Sequence, residues 1–256
     1  MQKLFASDFD GTLHFWDTHD LYLVSPADEQ AILEFQQAGG LFGVCTGRPL
    51  DSIVADVRGK IGFTFDFYIA MSGAQVFDGS LQPILDKTLP RELVRELYET
   101  YGSIAAKDKS ALICADHTSW ALTERRSWLG LYRAESFDEI PEPFCGLAMM
   151  VSTQEEAARI TEEVNSRYAG QVAAYQNDRS IDMQAPGCSK GLGLKIAAEH
   201  LGADLTAGIG DSFNDVPMLD AADVAYTFNS SAPDVQAHAQ VLVDSAAEAI
   251  RSFMRR

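Results

Sequence analysis

Residues 4–13 read Leu4-Phe5-Ala6-Ser7-Asp8-Phe9-Asp10-Gly11-Thr12-Leu13. The apolar run over 4–6 predicts a short buried strand that ends at Ser7-Asp8, where two carboxylates spaced i and i+2 meet a glycine that lets the chain turn. The same order returns late in the chain, where the run at 206–209 closes on Gly210-Asp211-Ser212-Phe213-Asn214-Asp215. Between them, a second apolar run at 41–45 ends at Thr46 and a third at 67–71 ends at Ser72. Amphipathic stretches separate these runs. Ser25-Pro26 followed by Asp28 predicts a helix start, with serine as cap, proline in the first turn and an acid near the positive end. Strands alternating with helices predict an α/β fold around a parallel sheet. Each strand delivers polar residues at its C-terminal end, where open α/β sheets place their ligand sites.

The pattern changes after Asp78-Gly79, a turn signal. Between residues 83 and 184 the order becomes helix, strands, helix, strands. Leu93, Val94, Leu97, Tyr98 and Tyr101 recur at helical spacing, as do Ala157, Ile160, Val164 and Tyr168. Runs at 111–115, 147–151 and 172–175 predict strands, so 83–184 reads as an inserted α+β domain with its own sheet. From Gly187 the first pattern resumes, with a helix over 192–200 and strands at 206–209, 224–226 and 241–243. Residues 1–82 and 185–256 thus form the core.

With 37 acidic and 20 basic side chains the formal net charge is -17, a field that repels polyanions. Unless a local site reverses that field, nucleic acid and anionic membrane are not expected as partners. A small phosphorylated ligand is also an anion, and requires a local pocket of a metal, a basic side chain or helix N-termini. Cys45, Cys114, Cys145 and Cys188 have no C-x-x-C spacing and read as structural thiols. No apolar stretch approaches the ~18 residues of a membrane span, and the first residues carry no signal pattern. The expected location is cytoplasmic.

The two acidic loops carry the chemistry. Asp8 and Asp10 can place one carboxylate against a metal and a phosphorus while the other reaches a leaving oxygen. Taken alone, such a pair is as often a solvated turn. The second acidic loop supplies hard oxygen ligands of the kind magnesium prefers, with Asp211 as ligand; Asp215 supports it, caps the helix that follows, or does both. Thr46-Gly47-Arg48 offers a hydroxyl, backbone N–H groups and a helix start for an oxyanion, and Lys190, in Ser189-Lys190-Gly191, a point charge.

In these four places the chain resembles the haloacid dehalogenase superfamily: DFDGTL at residues 8–13, VCTGRP around Thr46, Lys190 in SKG, and GDSFND at residues 210–215. The insert between the second and third motifs is similar to the larger cap of the Cof-type subfamily. The resemblance spans essentially the whole chain. It implies a Rossmann-like core, a mobile cap, Mg2+, and hydrolysis of small phosphate monoesters such as sugar phosphates through an aspartyl phosphate. It implies Asp8 as nucleophile and Asp10 as acid and base. Asp8, the Asp10 carbonyl and Asp211, supported by Asp215, would hold the metal, and Thr46, Gly47, Arg48, Lys190 and Asn214 the phosphate or substrate. Relatives carry an Asn-Gly pair after the third strand where this chain has Ser72-Gly73, which is expected to make a shorter version of the same contact. A phosphomutase is the nearest alternative. A phosphorylation-switched receiver module is the more distant one, disfavoured by chain length and by the insert. His117, Trp120, Arg125, Arg126 and Arg179 are the insert residues to weigh for substrate contact.

Overall fold

The computed structural model describes residues 1–15, 23–105, 111–122 and 132–256. Its elements in chain order are β1 (Lys3–Ser7), α1 (Pro26–Gln37), β2 (Leu41–Cys45), α2 (Leu50–Val57), β3 (Phe67–Ala70), β4 (Gln75–Asp78), β5 (Pro83–Asp86), α3 (Arg91–Tyr101), β6 (Leu112–Ala115), β7 (Thr118–Ala121), β8 (Tyr132–Arg133), β9 (Phe144–Met150), α4 (Gln154–Arg167), β10 (Ala173–Asn177) and β11 (Ser180–Gln184). There follow α5 (Lys190–Leu201), β12 (Leu205–Ile209), α6 (Val216–Ala221), β13 (Val224–Phe228), α7 (Pro233–Gln236), β14 (Val241–Val243) and α8 (Ala246–Met254). Among the described residues the strands form two sheets, in the orders β14-β13-β12-β1-β2-β3-β4-β5 and β10-β11-β9-β6-β7-β8.

The first sheet runs parallel from β14 to β3 and reverses at β4. Its central strands are apolar runs rather than alternating ones because both faces are covered: Leu4, Phe5, Ala6, Phe42 and Val44 have no exposed surface. Phe5 packs its ring 5.7–6.2 Å from those of Phe35, Phe42, Tyr226 and Phe253, joining β1 to α1, β2, β13 and α8. A fully buried aromatic side chain of this kind stabilises by roughly 2–3 kcal/mol. α1 begins as its sequence dictates, with the Ser25 hydroxyl accepting from the Asp28 N–H at 3.1 Å. Asp28 in turn accepts from the Ala247 N–H at 2.6 Å, which ties α1 to the start of α8.

Two compact units result: Met1–Thr46, Asp56–Leu85 and Ser189–Arg256 in one, Gly47–Ala55 and Asp86–Cys188 in the other. Relative to an insert at 83–184, residues 83–85 stay with the first unit because β5 extends the parallel sheet's antiparallel edge. Residues 47–55 join the second because Asp51 bonds to Ser119 there. In the second unit the strands pair antiparallel except β7 with β8. α3 buries Val94, Leu97 and Tyr101, and α4 buries Ala157, Ile160 and Val164. The Tyr101 hydroxyl donates to Glu163 at 3.1 Å and the Tyr168 hydroxyl to Glu96 at 2.9 Å, linking the two helices.

Two element ends differ from the sequence reading. β3 stops at Ala70 because Met71 and Ser72 both turn left-handed, at φ 48°. α5 starts at Lys190 rather than 192 because the Ser189 hydroxyl caps it, accepting from the Leu192 N–H at 3.1 Å. All four cysteines are buried. Among the described residues no helix is long and apolar enough to cross a membrane.

Candidate active site

Strand register brings the two acidic loops together. β1 lies between β12 and β2, with Ser7 opposite both Ile209 and Val44. Asp8 therefore leaves the sheet beside Gly210-Asp211, its N–H donating to the Ile209 carbonyl at 2.9 Å. The chain then folds back tightly: the Phe9 carbonyl accepts from the N–H groups of Leu13 at 3.0 Å and His14 at 2.8 Å. Gly11 sits at φ +89°, and a Cβ there would lie 2.7 Å from Asp211 Oδ2. A side chain at that position would displace the Asp211 carboxylate, so the glycine lets the two acidic loops approach.

Lys190, the first residue of α5, is 1% exposed. Its Nζ donates to Asp8 Oδ1 at 2.6 Å and to Asp215 Oδ1 at 2.5 Å. The other Asp215 oxygen accepts from the N–H groups of Asp211 and Ser212, each at 3.1 Å. Asp215 is completely buried; it stands at the N-cap position of α6, but its carboxylate makes no bond into that helix and reaches back to Ser212 in a capping box. Its job in the fold is to brace the Asp211 loop and anchor the lysine.

The electrostatics follow from burial. Asp8 is held well above the usual carboxylate range by desolvation and by the charge of Asp215, against the pull of Lys190. Asp211 is pushed up to about 6, chiefly by burial and again by Asp215, while the Thr12 hydroxyl opposes the shift. Lys190 shows the converse: burial disfavours its charge, yet the attraction of Asp215 and Asp8 lifts it well above the usual lysine value.

The remaining sequence candidates take these places. Thr46 is buried, its N–H donating to the Ile69 carbonyl at 2.8 Å and its carbonyl accepting from the Ser72 N–H at 3.0 Å. Ser72-Gly73 forms a left-handed turn packed on the start of α5: Gly73 has φ +91°, and a Cβ there would lie 2.0 Å from the Ser189 carbonyl oxygen. Asn214 is buried and accepts from the Ser212 hydroxyl at 2.7 Å. Gly47 and Arg48 fall in the second unit. There, His117 Nε2 lies 2.7 Å from Asp86 Oδ2, Trp120 packs at 5.3 Å on Tyr132, and Arg179 pairs on the surface with Asp178. Arg125 and Arg126 lie outside the described residues. Thr12 escaped the sequence reading: it is buried, and its hydroxyl donates to Asp211 Oδ1 at 3.0 Å. The signal was a hydroxyl two residues after Asp10 in the same turn, read there only as part of a motif.

Asp8, Asp211 and Asp215 each bring a carboxylate oxygen within 4.8 Å of the others. Asp10 is not part of that group. When all are ionised, three buried or half-buried carboxylates around one ammonium carry an excess of negative charge, which burial opposes and a bound cation would offset. Hard oxygen donors of this number fit a divalent ion that keeps several waters, as magnesium does. Both Asp215 oxygens also accept hydrogen bonds, one from Lys190 and the other from the Asp211 and Ser212 N–H groups.

A parallel α/β sheet with carboxylates at the ends of adjacent strands, and a lysine fixed between them, frames an aspartate-centred site. The haloacid dehalogenase-like hydrolase family matches residues 5–253, and the chain belongs to it. It is 22% identical over 259 residues to the 5-amino-6-(5-phospho-D-ribitylamino)uracil phosphatase of Bacillus subtilis, covering 98% of this chain and 96% of that one. It is 24% identical over 262 residues to the phosphoglycolate phosphatase of Methanopyrus kandleri, covering 100% and 97%. The fold superposes with a TM-score of 0.79 on a haloacid dehalogenase-like hydrolase from Bacteroides thetaiotaomicron, at 19% identity and with 99% of this chain and 100% of that one covered.

Proposed function

We propose that the protein is a magnesium-dependent phosphatase of small phosphate monoesters, sugar phosphates or related metabolites, acting through a phosphorylated Asp8. The observation that carries this reading is Lys190 between Asp8 and Asp215, with Asp211 beside them. Relatives named as phosphatases of a phosphoribitylamino-uracil and of phosphoglycolate support the substrate class.

In this reading Asp8 attacks phosphorus as the bond to the ester oxygen breaks, and Asp10 protonates the departing alkoxide. Asp10 then takes a proton from a water that attacks the same phosphorus, and the Asp8 carboxylate and inorganic phosphate are released. Lys190 pulls Asp8 toward its ionised, nucleophilic form, against burial and Asp215, and holds a phosphate oxygen as charge shifts. Thr46, Gly47, Arg48, Ser72, Gly73 and Asn214 are assigned to binding the phosphate or substrate. Magnesium, held by Asp8, the Asp10 carbonyl and Asp211 with Asp215 in support, would neutralise phosphate charge. The test is phosphate release from a panel of small phosphate monoesters. Turnover with magnesium and its loss with a chelator are expected; undiminished turnover in metal-free buffer, or none on any ester, would refute the reading.

A further inference from the structure

One carboxylate in the segment after Thr46 bonds across to a hairpin of the same unit. Asp51, in the first turn of α2, accepts from the Ser119 N–H at 3.1 Å and from the Ser119 hydroxyl at 3.3 Å. Its own N–H donates to the His117 carbonyl at 3.3 Å. These partners belong to the β6–β7 hairpin, whose turn residues Asp116 and His117 are both left-handed, at φ 48° and 59°. Positive φ at both central residues is the conformation that a two-residue hairpin turn favours, and Asp and His tolerate it better than most side chains. Here the Asp116 N–H donates to the Pro143 carbonyl at 2.8 Å, and His117 Nε2 meets Asp86 at 2.7 Å. The hairpin is thus held at its turn, and Asp51 bonds to it through Ser119 and His117. A carboxylate suits the contact with Ser119 because each oxygen accepts from a different donor of the same residue. Burial raises the Asp51 pKa and the hydrogen bonds from Ser119 and Ser52 oppose that rise.

Asp51 stands three residues after Arg48 and four after Gly47. We propose that Asp51 is a positioning residue for the phosphate-holding segment Gly47-Arg48, fixing the first turn of α2 on the β6–β7 hairpin and with it the direction of the backbone that presents those residues. The inference rests on the phosphatase reading above. It assigns Asp51 no contact with substrate. Its loss should therefore weaken phosphate binding more than it slows the chemical step, because Asp8, Asp10 and Lys190 stay in place.

The experiment uses the full-length enzyme with magnesium and measures inhibition by inorganic phosphate, together with KM, kcat and thermal melting. Asp51→Ala is expected to raise Ki for phosphate and KM by about tenfold while kcat falls less than about threefold. Asp51→Asn, which keeps one acceptor, should lie between it and wild type. Ser119→Ala removes one hydroxyl and leaves the backbone donor, so its effect should be about two- to threefold, and it should add little to Asp51→Ala. If Asp51→Ala lowers the melting temperature but leaves Ki and KM within twofold of wild type, Asp51 is only structural and the inference is overturned. Should Asp51→Ala fail to fold, Ser119→Ala carries the test, and unchanged Ki and KM there overturn it equally. A wild-type enzyme that turns over esters yet is indifferent to Asp51 and Ser119 variants refutes this inference alone; one that neither turns over esters nor binds phosphate refutes the function beneath it.

Discussion

In the proposed function Asp211 would meet opposite demands without and with a bound ion. Burial and Asp215 raise its pKa to about 6 in the metal-free fold, against ~3.9 for an unfolded chain. The folded state therefore binds the proton more tightly. The stabilisation this gives is fully present below the unfolded value and is lost as pH rises through about 6. At pH 7.5 the metal-free protein carries an ionised, poorly solvated carboxylate, at a cost on the order of 1–2 kcal/mol after discounting for its partial exposure. Asp211→Asn should remove that cost, raising the metal-free melting temperature at pH 7.5 by about 2–8 °C and removing the Asp211 contribution to its fall between about pH 4 and about 6. The same change should abolish stabilisation by magnesium and lower kcat/KM by about 10²–10³-fold. Melting curves with and without magnesium check the first claim; a variant that melts lower than wild type without metal and still responds to the ion contradicts it. Thr12 belongs beside Asp211 at this scale. Its side-chain contact, 199 positions away in the chain, depends on β1 and β12 lying next to each other, so no local pattern could reveal it.

Among the elements, the end of β3 and the start of α5 fit into each other. A Cβ on Gly73 would lie 2.0 Å from the Ser189 carbonyl oxygen, and the backbone there is left-handed. Ser189 caps the helix whose first residue is Lys190. Gly73→Ala should cost at least about 2–3 kcal/mol, combining backbone strain with a clash against backbone that cannot swing aside. Ser189→Ala should cost only about 1 kcal/mol, the usual value of a lost cap. Denaturant titration of both variants checks the order, and the reverse ranking would contradict it. The sequence made the strands, the Ser25 cap and the polar strand ends legible because each is a local pattern in the chain. It missed where β3 ends, since Met71 and Ser72 adopt left-handed backbone that their side chains do not favour and that only the packing around them enforces. It also left Asp215 between two roles. Choosing between them needed the position of Lys190, which is 25 residues away in sequence and in direct contact in space.

For the molecule as a whole, a net charge of -17 opposes the approach of any phosphate ester. Screening shortens the reach of that field from ~30 Å at 0.01 M ionic strength to ~8 Å at 0.15 M. With magnesium saturating, kcat/KM should therefore rise about two- to fivefold over this range while kcat stays constant. A fall would mean that the local positive potential of the site outweighs the surrounding charge at long range. The parallel sheet and the separate α+β sheet were both legible in the changing periodicity of the chain. The grouping of residues 47–55 with 86–188 was not, because it depends on hydrogen bonds to the hairpin at Ser119. The central claim, that Asp8 carries the phosphoryl group, is tested most directly by rapid-quench mixing with an aryl phosphate followed by mass spectrometry of the quenched protein. An aryl leaving group needs little protonation, so Asp10→Asn should still phosphorylate Asp8 and then release the phosphate slowly for want of a base, whereas Asp8→Asn should give no labelled protein at all. Label on Asp10, or a phosphoenzyme formed by Asp8→Asn, would contradict the account.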